Sequence, residues 1–138
     1  MNIKPVVAAL AGAVLLSGCC TVCRQRTKNA KPLENTEWHL VQIEGRNVAP
    51  DADTFNITLK EGNMTGIGAC NRLMGSYTLS QKKGLIFGNT ASTRMMCRNM
   101  EEESRFCAIL DQTTHYDIDG DALMLICNGT IKAVLKAK

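Results

Sequence analysis

The sequence predicts a mainly β domain, a small and strongly curved antiparallel sheet or barrel with one α-helix packed on it. Three observations predict it: apolar and polar residues alternate with period two in short segments, Gly and Asn interrupt those segments every 8 to 12 residues or so, and one stretch alone has helical periodicity. A β-sandwich is the alternative arrangement of the same elements.

The strands run in order. Trp38 to Ile43 alternates until Gly45-Arg46-Asn47, and Phe55, Ile57 and Leu59 alternate with Asn56, Thr58 and Lys60 until Glu61-Gly62-Asn63. Met64 to Ile67, Leu73 to Leu79, Gly84 to Gly88 and Ala91 to Met95 follow; Tyr116 to Ile118, Ala122 to Cys127 and Thr130 to Leu135 close the set. Between them Phe106, Ile109 and Leu110, with Met100 and Cys107 beside them, form one apolar stripe that must pack on the sheet. Asn99 with Glu102 three positions on fits a capping box, and Glu101, Glu102 and Glu103 oppose the positive end of the helix dipole. These three acids therefore read as helix-start chemistry and not as a metal or catalytic cluster.

At 138 residues the chain holds one domain. Residues 1–18 lie outside it: one Lys precedes an apolar run from Pro5 to Leu16, too short to span a bilayer, which needs roughly 20 residues. Leu16-Ser17-Gly18-Cys19 resembles the bacterial lipobox, which implies a lipoprotein signal peptide and lipidation of Cys19. Residues 19–32 carry Arg24, Arg26, Lys28 and Lys31 without an acid, as a flexible basic tether would. Without Lys4 and these four, the domain at 33–138 has 11 basic against 13 acidic residues, so the chain's positive balance belongs to the tether. No basic, aromatic-interleaved surface remains for nucleic acid. The tether charges fit either anionic headgroups or a solubilising spacer.

Gly68-Ala69-Cys70-Asn71-Arg72 with Gly75-Ser76-Tyr77, and Thr93-Arg94-Met95-Met96-Cys97 with Glu101 to Glu103 after it, resemble the paired signatures of the META domain, the HslJ-like family of small bacterial lipoproteins and secreted proteins. The opening Leu33 to Leu40, the Phe55-to-Gly68 region and the closing Tyr116 to Leu123 add to the likeness, which covers residues 33 to 136. The resemblance implies a barrel-like β fold with one helix, an envelope location and, in some members, association with stress resistance or virulence. It implies no reaction and no cofactor.

Cys70 and Cys97 are the cysteine pair that the two signatures carry, and the resemblance makes them the expected disulfide. Seven cysteines become six once Cys19 is lipidated, and an even number in an oxidising compartment fits bridges. Cys107 and Cys127 are a second pair; Cys20 and Cys23 then stay on the tether, whose C-x-x-C spacing lacks the helix N-terminus that redox motifs need. A thiol enzyme or redox sensor at Cys70 would need a neighbouring base. Neither histidine, His39 in the first strand or His115 after the helix, has a context that marks it as one. Asp117-Ile118-Asp119-Gly120-Asp121 has its glycine at the wrong place for a calcium loop and reads as a hairpin turn. No metal site is expected.

The expectation is a non-enzymatic, monomeric lipoprotein of the cell envelope, anchored to the membrane by its N-terminal lipid. It would serve envelope integrity or stress tolerance by binding an envelope protein or other envelope component. Asn71, Arg72 and Arg94 are the polar residues for such binding, or braces of the cysteine pair. The alternative is a carrier of a small apolar ligand inside the barrel. Cys20, and not aspartate, follows Cys19, which favours the outer membrane.

Overall fold

The computed structural model describes residues 29–48 and 53–138. The leader expected at 1–18, the lipidated Cys19, and Cys20 and Cys23 of the tether lie outside the described residues. The strands are β1 (Glu37–Ile43), β2 (Arg46–Asn47), β3 (Asn56–Lys60), β4 (Asn63–Ile67), β5 (Arg72–Ser80), β6 (Gly84–Phe87) and β7 (Ala91–Ser92). After the helix α1 (Met100–Gln112) come β8 (His115–Asp119), β9 (Ala122–Cys127) and β10 (Thr130–Ala137).

Every pairing is antiparallel, and the strands close into a ring in the order β1-β3-β4-β5-β6-β8-β9-β10, with β10 returning to β1. Short β2 pairs with β1 and β7 with β5. Register shifts between Leu40 and Gln42 and between Ile131 and Ala133 bend the strands at the closure, as an extra residue in one strand of a pair does. The thinnest join is β6 to β8, where Gly84 faces His115 and the backbone bonds Leu85 N to Thr114 O and Tyr116 N to Lys83 O continue the contact.

Alternation along the strands fills the ring. Trp38 and Leu40, Ile57 and Leu59, Met64, Leu85, and Leu123 and Leu125 from five different strands are fully buried. The indole Nε1 of Trp38 donates to the Leu33 carbonyl at 2.9 Å, so the one polar atom of that ring is satisfied. Helix α1 packs against β6, β9 and β10 through Phe106, Ile109 and Leu110, and Phe106 meets Phe55 edge to face with centroids 6.2 Å apart. Among the described residues, the mainly β fold with one helix on a curved antiparallel sheet is the one expected. Among the described residues no helix is long and apolar enough to cross a membrane.

Gly66 on β4 permits the close approach of β3: a Cβ there would lie 2.1 Å from the Asn56 carbonyl oxygen, a backbone atom that cannot step aside without breaking the ladder. Gly66→Ala is therefore expected to destabilise the domain by about 1–3 kcal/mol, the usual cost of overpacking. Urea denaturation checks it, and a midpoint equal to wild type would show that the two strands are looser than described.

Two elements differ from expectation. The strand at Ala91 to Met95 ends at Ser92, because the side chain of Asn71 takes both backbone groups of Met95 that a ladder partner would otherwise take. Asn99 is the N-cap of α1, yet it sits in the left-handed region at φ 66° and its side chain makes no capping bond, so no capping box with Glu102 forms.

Candidate functional site

The two signature segments meet at one end of the ring, between the β4–β5 connection and the start of α1. Cys70 and Cys97 are joined by a disulfide with Cα atoms 6.3 Å apart, linking the β4–β5 connection to the segment that leads into the helix. Cys107 and Cys127 are both free thiols, so the second bridge does not form. Cys107 lines a groove on one side of α1, whereas Cys127 is buried beneath the helix with its Sγ on the Ile109 carbonyl at 3.8 Å. An even number of cysteines counts thiols and says nothing of where they point.

Asn71 is the centre of the join. It is 1% exposed, and its amide uses all four of its hydrogen-bonding positions. Nδ2 donates to the Met95 carbonyl at 3.1 Å and to Glu103 Oε1 at 2.7 Å. Oδ1 accepts from the Met95 N–H at 2.7 Å and the Thr93 hydroxyl at 3.0 Å. Asn71 thus pairs with Met95 as a strand residue would. Arg72 and Thr93 extend the pairing: Arg72 N donates to Thr93 Oγ1 at 3.0 Å, and Thr93 N to the Arg72 carbonyl at 3.1 Å.

Glu103 receives the other half of the network. Its Oε2 accepts from Ala69 N at 2.8 Å and from Cys70 N and Asn71 N at 3.4 Å, and Oε1 also accepts from the Ser92 hydroxyl at 3.3 Å. Three successive N–H groups therefore cradle one carboxylate. Burial raises its pKa, but the Asn71 amide and the three backbone donors outweigh burial and hold it below the ordinary carboxylate value. Gly68 leaves room for this carboxylate, since a Cβ there would lie 2.5 Å from Oε2. Of the three acids read as helix-start chemistry, Glu103 is instead a buried anchor, while Glu101 pairs with Arg105 at 2.6 Å on the surface.

No thiol in this region has the surroundings of a nucleophile. Cys70 is held in its disulfide. Burial, together with the charges of Glu103 and Asp111, pushes the Cys107 thiol up to about 11, and burial also raises that of Cys127. His39 pairs with Glu37 at 2.7 Å and His115 bonds the Thr114 hydroxyl at 3.0 Å. In the acidic hairpin, Gly120 at φ 61° forms the turn between β8 and β9, and Asp117 pairs with Lys83, whose hydrogen bond lowers the Asp117 pKa.

The three polar residues singled out from the signatures separate. Asn71 faces inward as described, while Arg72 and Arg94 are exposed and open onto different grooves. Arg94 borders a cavity of about 500 Å³ between the helix and residues 90–96, lined also by Met95, Met96, Met100, Ser104 and Cys107. Arg72 borders one of about 480 Å³ on the outer face of β1, β3 and β4, with Glu37, Asn56, Thr58, Thr65 and Lys138. Among the described residues neither guanidinium has an ion-pair partner. Lys138 and the exposed Met95 and Met96 were not singled out by sequence reasoning.

The family model of the META domain matches residues 31–138. No curated protein matches the chain. Among solved structures, the NMR structure of a protein from Burkholderia xenovorans is 20% identical and superposes with a TM-score of 0.62, covering 100% of this chain and 99% of that one. A second NMR structure of a protein is 26% identical with a TM-score of 0.61 over 75% of this chain and 90% of its own. The crystal structure of a DUF4847 family protein from Bacteroides vulgatus is 19% identical, with a TM-score of 0.58 over 76% and 93% of the two chains. The Burkholderia and Bacteroides likenesses speak to the fold alone.

Proposed function

The chain belongs to the META domain family, and from that premise we propose that it is a non-enzymatic lipoprotein of the bacterial envelope, anchored through Cys19, most consistent with the outer membrane. It supports envelope integrity under stress by binding another envelope component through its outer surface. The observation that carries the reading is the division of the signature residues. Cys70, Asn71, Cys97 and Glu103 are spent on holding loops together, whereas Arg72, whose backbone is bonded to Thr93, borders a polar groove with a guanidinium that has no ion-pair partner among the described residues. A guanidinium recognises a carboxylate or phosphate through paired hydrogen bonds. The hydroxyls of Thr58 and Thr65 and the ammonium of Lys138, which lies 3.8 Å from Glu37 Oε1, border the same groove, as do the carboxylates of Glu37 and Asp53, so Arg72 is its one anion-binding group without a counter-charge among the described residues.

The ring interior is filled by Trp38, Leu59, Met64, Phe106 and Leu125, which directs binding to the outside and disfavours the small-ligand carrier.

Complementation of a deletion strain under envelope stress tests the proposal. Wild type is expected to restore growth, Cys19→Ser to leave the membrane fraction and fail, and Arg72→Glu to stay anchored and folded yet fail. Full complementation by Arg72→Glu would remove the groove from the account. Full complementation by an unanchored Cys19→Ser would remove the anchor.

A further inference from the structure

The segment at 90–96 lies between β5 and α1 and is bonded unequally on its two flanks. Towards β5, Thr93 N donates to the Arg72 carbonyl at 3.1 Å, and the Asn71 amide takes both backbone groups of Met95, at 2.7 and 3.1 Å. Towards α1, Thr90 N donates to Asp111 Oδ1 at 3.2 Å and the Ser92 hydroxyl to Glu103 Oε1 at 3.3 Å, so the segment runs antiparallel to the helix. Alternate residues of an extended chain turn their backbone groups to opposite flanks, which puts those of Arg94 and Met96 on the side of the groove beside α1. Among the described residues neither backbone makes a hydrogen bond, and the Arg94 guanidinium has no ion-pair partner. An edge left open in this way is a template for a further strand.

We propose that this edge takes up an extended acidic segment of another protein, which adds as a short strand along residues 93–96 with a carboxylate on Arg94. Arg94 and Met96 are two residues apart and share a face, so the incoming segment carries its acid and an apolar residue at the same spacing. Met96 is 89% exposed and Met95 56%, and both are adaptable enough to close over that apolar side chain. Arg94 supplies the charge of the groove. The Cys107 thiol beside it keeps its proton, and the Glu103 carboxylate is buried and already accepts from Ala69, Cys70 and Asn71. From Met100 to Cys107 the helix flanks the groove for about 10 Å, the length of about three extended residues. A second copy paired edge to edge would set two Arg94 side chains on one short ladder, where like charges repel. A lipid surface would meet the guanidinium and the methionines but would give the open backbone groups no ladder. This surface is separate from the Arg72 groove, so the two readings stand or fall independently.

The test uses the full chain labelled with ¹⁵N and with ¹³C in the methionine methyls. The probes are a capped hexapeptide with glutamate and leucine two residues apart among threonines, its counterpart with lysine in place of glutamate, and vesicles of phosphatidylglycerol. The glutamate peptide at millimolar concentration is expected to shift the amides of Arg94 and Met96 and the methyls of Met95 and Met96, and to leave the methyl of buried Met64 in place. At saturation, amide exchange at Arg94 and Met96 is expected to slow at least fivefold. Arg94→Gln is expected to weaken binding at least fivefold, and Arg94→Glu to exchange the preference, so that the lysine peptide binds and the glutamate peptide does not. Arg94 is exposed and its side chain has no partner among the described residues, so neither change removes a contact of the fold. Absence of shifts at millimolar peptide, or equal shifts with both peptides, would overturn the proposal. Shifts without slowed exchange would overturn the added strand, and a response to the vesicles alone would assign the surface to lipid and overturn the peptide.

Discussion

Replacing Cys70 and Cys97 together by serine is expected to lower the stability of the domain by about 3–4 kcal/mol. Their 27-residue separation sets this figure, because an open chain of that length gains loop entropy on unfolding that the bridged chain cannot. Against a total of about 5–15 kcal/mol for a native domain the loss is large, and it corresponds to a fall in Tm of about 15–25 °C. Calorimetry of the oxidised wild type and the double variant measures it. The variant is expected to remain folded at low temperature, since Asn71 and Glu103 join the same segments without the sulfurs. A fall of only a few degrees would mean that the hydrogen-bonded network alone fixes the loops.

Glu103→Ala is expected to cost about as much, near 3–5 kcal/mol, the range seen when one partner of a buried charged network is removed. The backbone N–H groups of Ala69, Cys70 and Asn71 would lose their acceptor, and so would one donor of the Asn71 amide. Each buried donor left unpaired carries a desolvation penalty. Glu103→Gln keeps the size but sets an NH₂ group against other donors, so it too is expected to destabilise, by less. The same carboxylate gives a pH signature. Its folded pKa lies below 4.5, so the stability it supplies is fully present above about pH 4.5 and is lost as pH falls through the lower folded value. Urea midpoints measured from pH 7 down to pH 3 should therefore fall more steeply for wild type than for Glu103→Gln. Parallel profiles would show that Glu103 is not held as an anion. Asp117, also depressed, contributes the same sign in both proteins and cancels in the comparison.

The strands were legible because period-two alternation is a local property, and Trp38, Leu40, Ile57 and Leu59 fall inward where the alternation puts them. The Cys70–Cys97 bridge was legible only through the resemblance of the two signatures, since spacing alone leaves many pairings open. Glu103 was misread because three consecutive acids at a helix start have a sufficient surface explanation. A signal was present nonetheless: position 103 is in phase with Phe106 and Leu110 on the buried stripe, where an acid needs partners. Asn71 and Arg72 were taken together as neighbours in sequence. They divide because successive residues entering β5 face opposite sides, one into the network and one onto the outer groove.

Cys70 is a staple of the fold in this account, set beside the hydrogen bonds of Asn71 and Glu103, and the surface carries the function. Non-reducing peptide mapping by mass spectrometry, on protein recovered from its native envelope, tests that most directly. The account predicts a Cys70–Cys97 linked peptide, Cys107 and Cys127 recovered as alkylated single peptides after denaturation, and a lipid mass on Cys19. Recovery of Cys70 and Cys97 as free thiols would contradict it and return Cys70 to the reading of a reactive cysteine.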